Sequence, residues 1–482
     1  MRQPESSLVD EGSRMSNYRA ALEAAVHHAA NYIAGLDDRP VAAVAGAAQL
    51  RQRLARPLAD KGVAAEQVIE ELVRDVEGGI LGSPSGRFFG WVIGGSLPSA
   101  LAADWLTATW DQNAGLHACG PAAAVAEETA GEWLKQILGL PAQASFAFVT
   151  GCQMAHVTCL AAARHALLEQ RGWNVEDKGL CGAPPIRILT SDQRHGSFDR
   201  AVRLLGLGSD NVQYLPSDQE GRLNPEALAA ALGKNSSMST IVLLQAGDVN
   251  IGAFDSFPVL IPMARQYGAW VHVDGAFGLW AQASPRYRHV SQGVEAADSW
   301  ATDGHKWLNV PYDCGYAIVA NWDAHRASMS YRASYLTHAS ESRDQMDWNP
   351  EFSRRARGFA TYAALRELGR NGVAALVERC CEHAAAIVDG IGRLPGVEVL
   401  WRPVINQGLV RFLDPKGHDH DRQTDRVIAA IAQTGEAFFT GTTWRGQRAM
   451  RVSVSNWQTS ADDVRRTVQA VEKALLEVQR SA

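Results

Sequence analysis

A lysine among aromatic and apolar neighbours is the first residue in this sequence whose setting could do chemistry. Lys306 stands between His305 and Trp307, just after a predicted strand that begins at Ser299. Such neighbours exclude water, which lowers the pKa of an amine and prepares it to act as a nucleophile or to bond to an aldehyde. A lysine in a solvated loop, with its stem lying on a tryptophan, would have the same sequence. Lys306 therefore needs a second residue before it indicates a site.

An aspartate supplies that second residue. Asp274 ends the apolar run 269–273, and small residues follow it. A carboxylate at the end of a buried strand is costly unless it has a partner, and a protonated ring nitrogen is one such partner. A turn or a helix cap is the alternative role for Asp274. The separation of Asp274 and Lys306 is about the length of a strand, a crossover and the next strand, which predicts that both lie at one edge of a sheet.

A glycine turn indicates a seat for an anion. Thr150, Gly151 and Cys152 join a predicted strand at 145–149 to a helical pattern that begins at Met154. Strand, turn and helix N-terminus direct backbone N–H groups and the helix dipole toward a phosphate. The turn matches neither GxxxxGK[ST] nor GxGxxG, so a nucleotide loop is poorly supported. A purely structural turn remains the alternative.

A histidine follows another predicted strand, 186–189. His195 lies in the polar run 191–197, and its ring could stack on an aromatic cofactor and exchange protons beside it. A capping or surface histidine is the alternative. Each of these motifs thus has a structural interpretation as well as a chemical one.

The pattern along the chain explains how these residues could meet. Short strands that are apolar on both faces alternate with helical stretches, which is typical of a mostly parallel sheet with helices on both faces. Ligands of such sheets bind where strands end and loops begin. The predicted units are a helical N-terminal arm over 1–88, a large α/β unit over 89–350 and a small α+β unit over 351–482. The strands predicted from apolar runs are 145–149, 186–189, 239–244, 270–273, 316–319, 397–401, 408–412 and 450–454.

Composition and charge limit the class of protein. The chain has 482 residues, 46% of them hydrophobic, and a net charge of −6, which gives no electrostatic reason to bind nucleic acid or an anionic membrane. No apolar run reaches the ~18 residues that a membrane span needs, and residues 1–12 lack a signal-peptide core. Seven scattered cysteines without CxxC pairs fit neither a disulfide framework nor a zinc site. We expect a cytoplasmic protein without a metal centre.

In this order, the four motifs resemble those of the pyridoxal-phosphate-dependent group II decarboxylases, which include aromatic amino acid and glutamate decarboxylases. The resemblance runs over about residues 75–460. It implies the fold-type I architecture, pyridoxal 5'-phosphate (PLP) as cofactor, and decarboxylation of an L-amino acid to the corresponding amine. It also implies a homodimer with shared active sites, in which the helical arm and the catalytic loop cross to the neighbour.

The resemblance assigns a role to each motif residue. Lys306 matches the lysine that binds the cofactor aldehyde, and Asp274 matches the partner of the pyridinium nitrogen. His195 matches the ring that stacks on the cofactor, with Ala276 under the opposite face. Tyr335 corresponds to the tyrosine of a mobile catalytic loop, here about 328–343, that protonates the product. The other cofactor contacts implied are those of Thr150, Gly151, Cys152 and His305 with the phosphate, and of Asp248 or Asn250 with the ring oxygen.

Three segments depart from the better-known members, and one of them is 87–91, which resembles the family's substrate-entry segment but differs in detail. Cys152 stands where the phosphate turn usually has a hydroxyl residue, so a donor must come from the backbone or from Thr150. Many members read Asn-Pro-His-Lys, whereas this chain reads Asp303-Gly304-His305-Lys306. The role of Asp303 is left open.

The substrate is less sharply predicted. Phe88, Phe89 and Trp91 favour an aromatic or bulky amino acid, and Arg451 is a candidate for the substrate carboxylate. An acidic substrate is the alternative, because four arginines could receive it. Other reactions on the same scaffold also stay open: an aminotransferase, another carbon–carbon lyase or an aldehyde synthase. The four arginines are Arg332, Arg354, Arg355 and Arg357.

Overall fold

A seven-stranded sheet lies at the centre of the computed structural model, which describes residues 11–331 and 343–480. Its strands are β1 (Ser145–Val149), β2 (Ile186–Ser191), β3 (Val212–Leu215), β4 (Ser239–Gln245), β5 (Trp270–Asp274), β6 (Ser299–Asp303) and β7 (Gly315–Val319). They lie in the order β1-β7-β6-β5-β4-β2-β3, and β7 runs antiparallel to both of its neighbours while the other pairs are parallel. The predicted α/β class with a mostly parallel sheet is confirmed.

Helices cover both faces of this sheet because successive strand residues are apolar and point to opposite sides. In β1, Phe146 and Phe148 belong to one hydrophobic cluster, and Ala147 and Val149 belong to the other. The helices are α1 (Glu11–Ala34), α2 (Ala47–Leu54), α3 (Ala65–Val76), α4 (Pro98–Trp110), α5 (Pro121–Ile137), α6 (Cys152–Glu169), α7 (Val175–Lys178), α8 (Gly196–Leu204), α9 (Pro225–Gly233), α10 (Phe257–Gln266), α11 (Trp322–Met329), α12 (Gly358–Gly392), α13 (His420–Thr434) and α14 (Ala461–Arg480). Among these described helices, none is both long and apolar enough to cross a membrane.

A small antiparallel sheet lies in the C-terminal region. Its strands are β8 (Val397–Trp401), β9 (Gln407–Phe412), β10 (Thr440–Trp444) and β11 (Gln447–Ser453), in the order β10-β11-β9-β8. Helix α14 packs against α12 and α13, and these two helices pack against the sheet. Within α12, Gly369 has a φ of +59°, a left-handed conformation that interrupts the helix.

The strands predicted from apolar runs are all present; β1 and β8 have the predicted ends, and the ends of the others differ by at most three positions. Strand β6 is the one predicted before Lys306, whereas β3 and β10 have no apolar run to mark them. In β3 the central residues Gln213 and Tyr214 are exposed, and β10 is rich in threonine and largely half-buried. Both pair at the edge of a sheet, where a strand needs only one neighbour and fewer apolar side chains.

The N-terminal helices leave apolar side chains uncovered. Helix α1 packs along α3, yet both helices also expose large apolar residues. We call this set the arm face; it comprises Leu22, Val26, Ile33, Val68 and Leu72, each about half exposed.

The sheet brings the candidate residues to one edge. Strands β2, β4, β5 and β6 are parallel, so their carboxyl ends meet, and Gln245 pairs with Asp274, which pairs with Ala301. His195 follows β2, and Lys306 follows β6. The expectation that Asp274 and Lys306 share an edge of the sheet is confirmed.

Candidate active site

Lys306 contacts a carboxylate rather than an apolar wall. Its Nζ lies 2.9 Å from Oδ2 of Asp303, the last residue of β6, which is almost fully buried. Burial lowers the pKa of Lys306, but the charges of Asp303 and Asp274 outweigh it and raise that pKa above its ordinary value. The expectation that its sequence neighbours lower the pKa of Lys306 is therefore wrong. The neighbour with the largest effect is the Asp303 carboxylate, three residues earlier.

Asp274 is buried and held by donors on two sides. Its Oδ1 accepts a hydrogen bond from the Ala276 backbone N–H at 3.1 Å and lies 3.7 Å from Cys152 Sγ. Its Oδ2 lies 3.5 Å from His156 Nε2. Burial opposes ionisation of this carboxyl, but His156, His195 and Lys306 outweigh it and hold the pKa of Asp274 well below its usual range. Asp274 thus presents a buried anion at the end of β5.

The turn before α6 is shaped by two close approaches. The Cys152 backbone N–H donates to Asp303 Oδ1 at 2.6 Å. A Cβ on Gly151 would lie 3.0 Å from His305 Cε1, and a Cβ on Gly315 would lie 2.5 Å from the Gly151 Cα. Glycine at both positions therefore lets the helix N-terminus come close to β7 and to the turn that contains His305 and Lys306.

Cys152 and His305 are uncharged neighbours of this turn. Burial raises the pKa of Cys152 well above its usual value, so its side chain is a thiol. Burial also lowers the pKa of His305, whose ring stacks on Tyr312 with 4.1 Å between the ring centres. Thr150, the first residue of the turn, is half-buried.

His195 caps a helix and stays exposed. Its Nδ1 accepts a hydrogen bond from the Ser197 backbone N–H at 3.3 Å and lies 2.8 Å from Ser197 Oγ, at the start of α8. Neighbouring atoms that exclude water lower the pKa of His195, while Asp274 acts in the opposite direction. The cap uses one ring nitrogen and leaves Nε2 and the ring faces for other contacts.

The loop after β4 is fixed by the carboxylate of Asp248. This group accepts N–H bonds from Asn250 at 2.8 Å, from Ile251 at 3.3 Å and from Ala253 at 2.8 Å. Asn250 Oδ1 in turn accepts the Thr442 hydroxyl at 2.7 Å. Of the two residues expected near a cofactor ring oxygen, Asp248 has both oxygens occupied, and Asn250 keeps its NH₂ group as a donor.

The aromatic segment divides into buried and exposed residues. Phe88 stacks on Phe438 at 5.1 Å and Phe89 stacks on Phe439 at 5.2 Å, and neither has more than 1% of its surface exposed. Trp91 is 47% exposed and packs against Phe438 at 5.6 Å. Trp91 is therefore the aromatic residue of this segment that has surface to offer a substrate.

The segment that follows Trp91 approaches the lysine directly. The Gly94 N–H donates to the His305 carbonyl at 3.4 Å, and a Cβ on Gly94 would lie 1.9 Å from the Lys306 carbonyl oxygen. Only glycine permits this approach. Gly94, three residues after Trp91, therefore contacts the backbone of Lys306.

The arginines differ in how far they are engaged. Arg451 on β11 is 7% exposed and donates to the Val249 carbonyl at 3.1 Å, and burial lowers its pKa to about 10, with Asp248 opposing. Arg354 is buried in an ion pair with Glu127 at 2.9 Å. Two further arginines form partly exposed pairs: Arg355 with Asp104 and Arg357 with Asp313, each at 2.8 Å. Arg332 and Tyr335 lie outside the described residues.

Sequence reasoning did not single out His156 and His272. His156 lies four residues after Cys152, on the same side of α6, and His272 lies two residues before Asp274, on the same face of β5. This spacing is a signal that the sequence offers. The donor atoms of Cys152, His156 and Asp274 all lie within 4.8 Å of one another, close enough to hold a metal ion, and contacts among the three side chains also account for the grouping.

The groups at this edge suit a phosphorylated pyridine aldehyde. Lys306 supplies an amine for the aldehyde, and Asp274 supplies a buried anion for a ring N–H. The N-terminus of α6 supplies backbone N–H groups for a phosphate, with Asp303 as an unexpected anion beside it. A Cβ at Gly151 would fill space next to that helix end.

Comparison with known proteins agrees with this chemistry. The pyridoxal-dependent decarboxylase conserved domain matches residues 48–413. An aromatic-L-amino-acid decarboxylase of Bacillus atrophaeus is 25% identical over 457 residues, which cover 92% of each chain. An acidic amino acid decarboxylase of Mus musculus is 26% identical over 399 residues, which cover 80% of this chain and 72% of the relative. The crystal structure of Oryza sativa TDC with PLP and tryptamine has a TM-score of 0.90 at 23% identity and covers 99% of this chain and 100% of that one.

The fold and the site define a PLP-dependent enzyme of fold type I. The chain belongs to the pyridoxal-dependent decarboxylase family, and it is a PLP-dependent amino acid decarboxylase.

Proposed function

We propose that this enzyme decarboxylates an aromatic L-amino acid to the corresponding amine and carbon dioxide. The observation that carries the proposal is the half-exposed Trp91, three residues before the glycine that touches the Lys306 backbone. A flat aromatic side chain can pack on an indole ring with a gain of about 0.5–1.5 kcal/mol beyond simple burial. A relative that is an aromatic-L-amino-acid decarboxylase supports the same substrate class.

An acidic substrate fits the described arginines less well. Arg354 is fully buried with Glu127, and recruiting it would leave that carboxylate buried without its partner. Arg355 and Arg357 already have carboxylate partners, Asp104 and Asp313. An acidic side chain would have to compete with each of these anions.

When bound, PLP supplies an electron sink for the bond that breaks at the substrate α-carbon. We assign Lys306 to the cofactor aldehyde and Asp274 to the ring nitrogen, where its depressed pKa keeps it an anion that accepts the ring N–H. His195 would pack on the cofactor ring and Ala276 would lie on the opposite side, where a small side chain leaves room. Tyr335 donates a proton to the product carbon.

Cofactor binding extends to the phosphate and to the ring oxygen. Gly151, Cys152 and His305 line the phosphate end, where the helix N-terminus and an uncharged imidazole offer hydrogen-bond donors. Thr150 contributes its hydroxyl where other members use the residue at 152. Asn250 donates to the ring oxygen through its NH₂ group, and Asp248 holds the loop that positions it.

We also propose that the enzyme is a homodimer with shared active sites. The arm face exposes five large apolar side chains on two packed helices, which is costly in water unless a second surface covers them. A second copy of the chain offers the same apolar surface, as a two-fold interface requires. The pair Leu22→Asp and Leu72→Asp should give monomers in sedimentation, whereas a wild-type chain that sediments as an active monomer would contradict the dimer.

The proposed units are the helical arm over 1–88, the PLP-binding unit over 89–350 and the small unit over 351–482. A cytoplasmic location is part of the proposal, because the described cysteines are all free thiols, five of them buried, which suits a reducing compartment.

The substrate is tested by incubating the holoenzyme with each of the twenty amino acids while carbon dioxide and amine are measured. Tryptophan, tyrosine and phenylalanine should react fastest, and Trp91→Ala should raise KM for these three by about tenfold, the loss expected for one aromatic contact. Val92→Ala in the same segment is the matched control. Preference for glutamate or aspartate would overturn the substrate class, and keto acid or aldehyde as the main product would favour an aminotransferase or an aldehyde synthase.

A further inference from the structure

A chain of buried polar side chains runs from Asp274 into the core. His156 Nδ1 lies 2.8 Å from His272 Nε2, and His272 Nδ1 lies 2.9 Å from Ser299 Oγ. The chain ends at Trp270, whose indole N–H donates to Ser299 Oγ at 2.9 Å. Both histidines and Ser299 are fully buried, so no water replaces these contacts. The chain joins β5, β6 and α6 behind the carboxylate.

With Asp274 as an anion and one hydrogen on each ring, the contacts fit the following arrangement of protons. The Asp274 anion requires a hydrogen on His156 Nε2, so Nδ1 of that ring is an acceptor. Nδ1 must then receive the Nε2–H of His272, which makes the other nitrogen of His272 an acceptor as well. Ser299 fills that acceptor with its hydroxyl hydrogen while its oxygen takes the Trp270 N–H. Every hydrogen in the chain then points toward Asp274.

His272 is neutral in this arrangement, as its surroundings require. Burial lowers the pKa of His272 to about 3. A neutral ring can donate through one nitrogen only, so a hydrogen received from Ser299 at Nδ1 leaves Nε2 of His272 as the donor. That selection passes along the chain to His156.

We propose that Ser299, His272 and His156 form a relay of positioning residues that keeps a hydrogen on His156 Nε2 and so holds Asp274 as an oriented anion for the ring nitrogen of PLP. The inference rests on the proposed role of Asp274 and deepens it. The relay acts on the ring nitrogen through that carboxylate. His156 Nε2 also lies 3.6 Å from Cys152 Sγ at the phosphate end, and a ligand that shares the phosphate but lacks the ring nitrogen reports any effect through that contact.

The test compares two ligands that differ at the ring nitrogen. Full-length protein freed of cofactor is titrated with PLP and with its carbocyclic analogue, in which a carbon replaces that nitrogen, and both dissociation constants are measured. His156→Leu and His272→Leu should each weaken PLP binding about tenfold, the loss of one hydrogen bond to a charged group. Binding of the analogue should not change. His156→Gln is the matched variant, because its amide can donate to Asp274 and accept from His272, and it should restore most of the affinity for PLP.

Each result separates the relay from the role of Asp274. If Asp274→Asn weakens PLP selectively and the two leucine variants do not, the relay is wrong and the role of Asp274 stands. If Asp274→Asn affects both ligands equally, the ring-nitrogen role itself is wrong. A leucine variant that binds neither PLP nor the analogue has lost its fold, and the relay is then tested with Ser299→Ala. A selective loss of about threefold in that variant supports the relay, and unchanged binding of PLP overturns it.

Discussion

Lys306 and Asp303 form a buried ion pair, with 2.9 Å between Nζ and Oδ2, at the point where a helix N-terminus also meets the carboxylate. One anion therefore serves both the amine and the first N–H of α6. In the proposed site, the phosphate of PLP binds at the same helix end. The carboxylate of Asp303 then lies beside a second anion, which opposes cofactor binding.

Asp303→Asn should tighten the binding of PLP. The amide oxygen can still accept the Cys152 N–H, while the negative charge beside the phosphate is gone. The substitution also lowers the pKa of Lys306 from its raised value, so more of the amine is free to react. We expect the dissociation constant to fall by about tenfold or more, since two charges a few ångströms apart in a protein interact by several kcal/mol. Titration of cofactor-free protein measures it.

The control for this variant is Asp313→Asn, which removes a carboxylate that is paired with Arg357 instead of Lys306. It should leave PLP affinity unchanged. Weaker binding by Asp303→Asn would mean that Asp303 supports the phosphate site in its charged form.

Lys306→Ala should abolish covalent attachment of the cofactor and turnover. In the wild-type enzyme, borohydride reduction should fix PLP on the peptide that contains Lys306, as mass spectrometry can show. The alanine variant should keep only reversible binding, because Asp274 and the helix N-terminus remain. A covalent adduct at a different lysine, or activity in the variant, would contradict the assignment.

Much of the site could be predicted from the sequence because its residues follow apolar runs. Asp274 and Lys306 each come at or just after the end of a buried strand. Neighbouring parallel strands end at the same edge of a sheet, so the two residues come together for any conformation of the connecting loops. Tertiary partners could not be predicted in this way. Asp303 and Lys306 are close in sequence, but the N–H of Cys152 reaches Asp303 only through folding of a distant segment.

The aromatic segment shows the same limit. Phe88, Phe89 and Trp91 are equally apolar, and the sequence treats them alike. Their different exposure depends on Phe438 and Phe439, about 350 residues later, which cover the first two and leave the third half exposed. Which residue of such a segment meets a ligand is decided by packing that no local pattern encodes.

His325 should make the free energy of unfolding depend on pH. Its ring is buried between Ser145 Oγ at 2.8 Å and the Trp348 carbonyl at 2.9 Å, and burial, with the charge of Arg343 as a second cause, lowers its pKa to about 3. The unfolded chain takes up the proton near pH 6.5 and the folded chain does not, so stability falls as pH decreases through this window. From pH 7 to pH 5 this histidine should cost about 2 kcal/mol.

Denaturant unfolding of cofactor-free wild type and His325→Gln at several pH values measures this cost. The wild type should lose about 2 kcal/mol more than the variant between pH 7 and pH 5. Between pH 7 and pH 9 the difference between the two proteins should stay constant. If the free energies of unfolding of the two proteins changed equally with pH below pH 7, the buried ring would gain its proton in the folded state.

Tyr335→Phe should separate bond breaking from protonation. The variant keeps the ring but loses the phenol, whose ordinary pKa of about 10 leaves it protonated at neutral pH and able to donate. We expect the variant to bind PLP and substrate, to lose most amine formation, and in air to divert part of the product to aldehyde, ammonia and hydrogen peroxide. Tyr331 is the rival donor and the matched control; it is exposed and packs against Phe352 at 6.0 Å. Tyr331→Phe should form amine at the wild-type rate, and wild-type amine formation by Tyr335→Phe would exclude Tyr335 as the acid.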